Sequence, residues 1–473
     1  MANTAQAKTR SAQAEKTAVL ELSSGKIYSI RVSPNSYFSA IFLSFFLTAL
    51  FVYLRFDLAA GFVFAVGALV IPLLMFTDRI VFDGDTLSRT GLIPNLWARL
   101  DRQPLKLKIG EIEQVETQAL RALKRGGNVF YRYRTSVGGG KVRFVFASGG
   151  EDYRRMVRAL FSKLSDDTLD NRSLELRDYL SEPKETLMKA EFARLPSTEV
   201  LENSLNEFEL PDRRLRRRRR SSEFGTGEEE RADYLRRLAN ELRLSGYLLQ
   251  ALEAFRRALV LKPDDAWLIF EYARCLYSFA SSERNEKLEQ KARAALRLAE
   301  RRGGGDAELL SRLGESYFQY GDWERARKVF LKALDAAQEN FRSVRGLAEI
   351  ALREGKIAHV IHHYATAISF AETQTLQRWA RFEAEYFSRL NTDEKYLERE
   401  ISRISRLESI LRGKRMALRL ALVGFGTIIF GILFDDLIAN IGWTVSAVSL
   451  LVWVGLIMSA NLLTERSPGG EEK

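Results

Sequence analysis

Residues 307–340, AELLSRLGESYFQYGDWERARKVFLKALDAAQEN, decide the reading of this chain. Leu313, Gly314, Tyr317, Gly321, Ala326, Phe330 and Ala333 fall where two short helices would meet across a glycine turn. Residues 232–265, ADYLRRLANELRLSGYLLQALEAFRRALVLKPDD, place Ala239, Gly246, Ala251, Phe255, Ala258 and Pro263 at the small, turn and packing positions of the same unit. A further copy from Phe341 keeps Ala348, Gly355, Tyr364 and Ala367. A degenerate copy from Ala266 keeps Ala273 and then, after an insertion around Ser281–Lys287, Ala292, Leu296 and Ala299. A period of about 34 residues marks stacked helix pairs, because one pair alone cannot bury its apolar face. The small residues let paired helices approach, and Phe255 or Phe330 fills the gap against the next pair.

These windows resemble the tetratricopeptide repeat (TPR) family, which implies an all-α TPR solenoid of about four repeats over residues 231–374. Residues 375–416 follow as capping and connecting helices, Thr375–Leu390 and Asp393–Leu411. In such arrays the first helix of each pair lines an inner, protein-binding surface. That register brings Arg236, Asn240, Trp267, Phe270, Arg274, Tyr277, Glu315 and Phe318 toward one groove, unless the aromatics pack between repeats. Aromatic and arginine side chains are the usual anchors of an interface. Some members clamp a C-terminal carboxylate. Arg236, Asn240 and Arg312 match part of that pattern, but Glu271 and Glu308 stand where an amide and a lysine are needed.

Two apolar hairpins bracket the charged middle. Tyr37–Leu54 and Leu58–Phe76 are separated only by Arg55-Phe56-Asp57, and Ala417–Phe434 and Trp443–Leu463 flank Asp435-Asp436. An apolar helix of about 20 residues spans a bilayer. Residues 37–77 and 417–463 are therefore expected as transmembrane hairpins, with tails at 1–36 and 464–473 on the same side as the middle. Lys8, Arg10, Lys16, Lys26, Arg31, Arg79, Arg412, Lys414, Arg415 and Arg419 flank the spans on that side, while the crossing loops hold only Arg55. Positive residues stay inside, which predicts a multi-pass protein of a bacterial cytoplasmic (inner) membrane with soluble domains and both termini cytoplasmic. A signal peptide is a poor alternative, since the apolar run is long and leads straight into a second span. The spans hold no ionisable group deep in the apolar layer, which argues against a pump or channel.

Residues 78–165 carry short strands. Asp83-Gly84 suits a tight hairpin in Arg79–Arg89, Leu105–Ile109 alternates, and two apolar runs flank Gly138-Gly139-Gly140. A closing helix aligns Tyr153, Met156, Val157, Leu160, Phe161 and Leu164. A small β-sandwich or barrel capped by one helix is expected. The order of apolar hairpin, DRIVFDGDTLSRTGL at 78–92, IGEIEQVE at 109–116, glycine-turned hairpin and final helix resembles a bacterial pleckstrin-homology-like (PH-like) domain. Phosphoinositide binding does not transfer with that fold. Lys124, Arg125, Arg132, Arg134 and Lys141 fit either anionic headgroups or a solvated strand face.

Residues 166–230 read as a charged linker with acidic, weakly helical stretches, ending in Arg213, Arg214, Arg216, Arg217, Arg218, Arg219 and Arg220. Like charges this dense repel and stay extended. Anionic lipid attracts each such residue by about 1 kcal/mol, so lipid or an acidic partner is expected there. Nucleic acid is disfavoured, because no aromatic residue interleaves to stack bases.

The net charge is +11 with 28% charged residues, and the single cysteine, Cys275, excludes an intramolecular disulfide. Cys275 sits in a helical apolar pattern as a small buried hydrophobe. His359, His362 and His363 have helical spacing, but no carboxylate or thiol completes a metal set. SVGGGKV and RRGGGDA are turns, lacking the remaining residues of a phosphate loop. No carboxylate pairs with a nucleophile and base, so no catalysis, cofactor or metal is expected. The expected role is a non-catalytic scaffold or adaptor recruiting a protein partner in assembly or regulation of a membrane complex. The alternative is an anionic-lipid-sensing or lipid-handling protein using the PH-like domain and Arg213–Arg220.

Overall fold

The computed structural model describes residues 27–32, 35–92, 94–95, 105–125, 128–140, 142–148, 150–203 and 226–464. The chain divides into two units, one of residues 1–32, 79–90 and 94–382, the other of residues 33–78, 91–93 and 383–473.

The first unit begins with two small antiparallel sheets. Strands β1 (Tyr28–Arg31), β2 (Arg79–Phe82), β3 (Thr86–Thr90) and β4 (Lys106–Lys108) form one in that order, and β5 (Gln114–Arg125), β6 (Asn128–Gly139) and β7 (Val142–Ala147) form the other. Register places Ile30 opposite Ile80 and Phe82 opposite Leu87 in one sheet, and Val137 opposite Val115 and Phe144 in the other. These side chains bury together under Tyr153, Met156, Val157, Leu160 and Phe161 of helix α1 (Glu151–Phe161). Asp83 makes the β2–β3 turn: its carboxylate accepts from the amides of Asp85 at 3.0 Å and Thr86 at 2.7 Å, and Gly84 supplies φ +104°. Residues 28–31, assigned to a tail above, are the edge strand of the first sheet. Four residues are too few to announce a strand, and an apolar hairpin separates them in sequence from their partner.

Residues 166–203 are not an open linker. Helices α2 (Asn171–Tyr179), α3 (Pro183–Phe192) and α4 (Thr198–Asn203) pack on the first unit, with Asn171, Ser173, Leu174, Glu175 and Leu176 all buried. Asp170 caps α2 by accepting from the Ser173 amide at 2.9 Å. The Arg213–Arg220 run lies outside the described residues.

The repeats are four helix pairs: α5 (Thr226–Ser245) with α6 (Leu248–Leu261), α7 (Ala266–Glu283) with α8 (Glu286–Arg302), α9 (Ala307–Gln319) with α10 (Trp323–Ala336), and α11 (Phe341–Arg353) with α12 (Ile357–Phe370). Side chains at the helix starts explain the boundaries, since Asp265, Asn285, Asp306, Asp322 and Asn340 each accept a first-turn amide. Phe330 is clamped between Gly314 and Gly346; a Cβ at Gly314 would lie 2.5 Å from its ring, and one at Gly346 would also collide. The cluster running from Ala232 to Ile350 buries Leu, Phe and Ala side chains from successive pairs, including Cys275. Helix α13 (Gln374–Thr392) adds Leu376 and Ala380 beside Phe341 and Val344, closing the last repeat.

In the second unit, helix α14 (Asn35–Tyr53) precedes α15 (Asp57–Thr77), and the 41-residue α16 (Glu394–Phe434) precedes α17 (Asp436–Thr464). Among the described residues three segments are long and apolar enough to cross a membrane, Asp57–Thr77, Glu394–Phe434 and Asp436–Ala460; Tyr37–Tyr53 is a shorter apolar helix. The connecting helix and third apolar run, separated above at Arg412–Lys414–Arg415, form one uninterrupted helix. A Cβ at Gly424 would lie 2.5 Å from Ser446 Oγ and one at Gly442 2.7 Å from the Ile428 nitrogen, so glycines permit close packing of α16 on α17. Trp443 lies 5.4 Å from the Phe46 ring and 5.5 Å from the Tyr53 ring.

Candidate functional site

The inner helices of the repeats meet the chain's own sheets and connector. Arg236 donates to Glu271 twice, at 2.7 and 2.8 Å, and Asn240 Nδ2 donates to the same carboxylate at 2.9 Å. Tyr179 of α2 adds a hydroxyl at 3.4 Å. Glu271, which stood against a carboxylate clamp, thus occupies the donors that a ligand carboxylate would need.

One step deeper, Glu175 of α2 enters between Arg243, 2.9 Å away, and Arg274. Glu175, Arg243 and Arg274 are only 6%, 6% and 5% exposed. Burial pushes the Glu175 carboxyl up, but Arg243 and Arg274 outweigh it and hold it below its ordinary value. Opposite charges this deeply buried stabilise one another only as a set, and losing one partner is costly.

Strand β6 docks on the same helices. The Val129 amide donates to the Gly246 carbonyl at 3.0 Å and the Tyr133 hydroxyl to the Leu244 carbonyl at 2.6 Å. Gly246 has φ +92°, and a Cβ there would collide with the Val129 carbonyl. At the far end Arg342 donates to the carbonyls of Asp166 and Leu169 at 2.8 and 3.0 Å and pairs with Glu315 at 2.8 Å. Asn171 Nδ2 donates to the Arg312 carbonyl at 3.2 Å.

These contacts set the accessibility of the eight groove residues. Asn240, Phe270 and Arg274 are buried, a correction to their placement on an open groove: α2 and Glu271 take their polar groups, and Phe270 packs within the array. Arg236, Trp267, Tyr277, Glu315 and Phe318 remain partly exposed. Trp267 Nε1 donates to Asp306 at 2.8 Å with Arg312 5.1 Å from its ring, and Tyr277 stacks on Tyr320 at 3.6 Å. The Arg353 guanidinium lies 4.8 Å from Phe318 and 5.1 Å from the exposed Trp323.

A cavity of about 550 Å³ separates β5 from α9 and α11, lined by Asp167, Asp170, Glu315, Glu349, Arg342 and Arg345 among others. Burial raises the carboxyls of Asp170 and Glu349. Asp167 is pushed up to about 6, first by burial and further by Glu372 and Asp166, against the pull of Arg342.

Sequence reasoning missed Glu175, Arg243, Arg342 and Tyr133. The available signal was the apolar SLEL run at 173–176, which a solvated linker would not carry. Arg132 and Arg134 are exposed on β6, whereas the side chains of Lys124, Arg125 and Lys141 lie outside the described residues. His359, His362 and His363 lie along α12, and burial together with the other two histidines lowers the His363 pKa. Among the described residues no group of three or more His, Cys, Asp or Glu is placed to hold a metal ion.

Residues 307–340 match the tetratricopeptide repeat family. No curated protein matches the chain. Among solved structures, MamA is 17% identical over 33% of this chain and 84% of its own, with a TM-score of 0.26. PilF of Pseudomonas aeruginosa is 18% identical over 50% of this chain and 100% of its own, with a TM-score of 0.30. The Cut9–Hcn1 hetero-tetramer of the APC/C is 15% identical over 66% of this chain and 52% of its own, with a TM-score of 0.29. At these scores none of the three likenesses carries an argument about function. The helix pairs and the family match together establish tetratricopeptide repeats in a mostly helical chain that also holds small antiparallel sheets.

Proposed function

We propose that this protein is a non-catalytic scaffold or adaptor of a bacterial inner membrane, recruiting a protein partner on the cytoplasmic side for the assembly or regulation of a membrane complex. The supporting observation is the union in one chain of a repeat array with three helices of membrane-spanning length and composition. In this reading α14 is the fourth span and the two sheets with α1 are a PH-like domain close to the bilayer. Tethering confines the array to the membrane surface and raises its effective concentration toward membrane-bound targets. The partner meets Arg236, Trp267, Tyr277, Glu315 and Phe318, the groove residues that keep exposed surface.

Replacing Trp267 and Phe318 together by alanine should abolish co-purification of the partner from solubilised membranes while circular dichroism of the chain stays unchanged. Retained co-purification would remove the groove from the proposal. Protease added outside intact cells should leave the repeats uncut; digestion of residues 232–370 from that side would overturn the topology.

A further inference from the structure

A second cavity, of about 200 Å³, lies between β5, β6 and the inner helices of the first three repeats. Arg121, Arg172, Arg243 and Arg274 line it with Tyr277 and Gln319, and no carboxylate is among its lining residues. Among the described residues Glu175 pairs with Arg243 and Arg274. Four guanidinium groups, two of them sharing the Glu175 carboxylate, leave an excess of positive charge inside a partly enclosed site. Arg172 also borders the neighbouring 550 Å³ cavity, where Glu116, Asp167, Asp170, Glu315 and Glu349 outnumber the arginines, whereas Arg121, Arg243 and Arg274 line the smaller one alone.

Two donors in the smaller cavity are unused. Arg243 is 6% exposed, and its Nε has no hydrogen-bond partner among the described residues. The Arg172 side chain, half-buried on α2, makes no hydrogen bond or ion pair among them. Arg121, at the exposed rim on β5, reaches the Ser282 carbonyl at 3.3 Å and retains further donors. A buried unpaired guanidinium nitrogen is costly, and its natural complement is an oxyanion that accepts several N–H groups at once.

We propose that this cavity binds a phosphate group, held by Arg172, Arg243 and Arg121. A dianion matches the surplus charge, and a tetrahedral set of oxygens suits planar donors arriving from three elements. Because Arg172 sits on α2, Arg243 on α5 and Arg121 on β5, the bound group ties connector, repeat and sheet together. Binding therefore stabilises the docked arrangement by mass action.

The test is titration calorimetry of the full chain in detergent with inorganic phosphate, and separately with glycerol 3-phosphate, at constant ionic strength. Saturable binding is expected, weakened about tenfold or more in both Arg172→Gln and Arg121→Gln. Tighter binding of glycerol 3-phosphate assigns the site to a small phosphomonoester, and equal binding assigns it to the phosphate group alone. Absence of saturable binding up to millimolar phosphate would overturn the proposal, as would unchanged affinity in the variants. Should Arg172→Gln fail to fold, the rim variant Arg121→Gln carries the test.

Discussion

The first and third repeats share their small, turn and aromatic positions, yet their inner helices face different surroundings. Along α5, Asn240 and Arg243 are sealed by Glu271 and by Glu175 of the connector, and Gly246 sits against β6. Along α9, Glu315 and Phe318 border a cavity of about 550 Å³ and keep part of their surface exposed. The repeat signature governs how helices pack on one another and says little about what covers them. The inner face of α5 is thus largely covered by the connector and β6, with Arg236 still partly exposed and Arg243 lining a small cavity, whereas that of α9 borders the larger one.

The largest test of this contrast is Glu175→Ala, which leaves Arg243 and Arg274 buried without their counter-charge and should cost about 3–5 kcal/mol. Denaturant unfolding of the detergent-solubilised chain measures it; a change within error would mean that the first repeat is not closed by the connector. Gly246→Ala forces a side chain into φ +92° and against the Val129 carbonyl, adding strain of about 1–3 kcal/mol. Hydrogen exchange should show faster loss of protection at the Val129 amide than at α9 amides. In the third repeat, Gly314→Ala pushes on the Phe330 ring and should cost about 1–3 kcal/mol by overpacking. Its effect belongs to the stack itself, so protection at Val129 should survive.

Smaller again is the pH response at Asp167, a connector residue within the field of Arg342 and Arg345 of the fourth repeat. Its pKa is about 6 in the folded chain against an ordinary 3.8, so the folded state binds the proton more tightly. That group's contribution is most favourable below about pH 4 and is lost as pH rises to about 6 and above. Asp167→Asn should stabilise the chain at pH 7, and the gain should vanish at pH 4; a gain that persists there would contradict the assignment. At the bottom of the scale, Lys328→Ala breaks an exposed pair with Glu324 on the outer face of α10 and should leave the melting temperature unchanged.

Legibility followed the range of each signal. Helix pairing showed in Gly314, Phe330 and Ala333 because their spacing encodes packing within one unit, and the Asp83-Gly84 turn showed because its bonds are local. The strand at Tyr28–Arg31 did not show, since its partner lies beyond an apolar hairpin. Nor did the burial of Arg274, whose counter-charge comes from a connector 99 residues away in sequence.

By itself the sequence determined the repeat register, the apolar helices and the glycine turns, since periodicity and side-chain size act over a few residues. Only the tertiary structure decided which inner-face residues stay open, because that depends on where a distant helix inserts Glu175 and on which charges it satisfies. Those are long-range electrostatic and packing choices, and no local pattern of residues carries them.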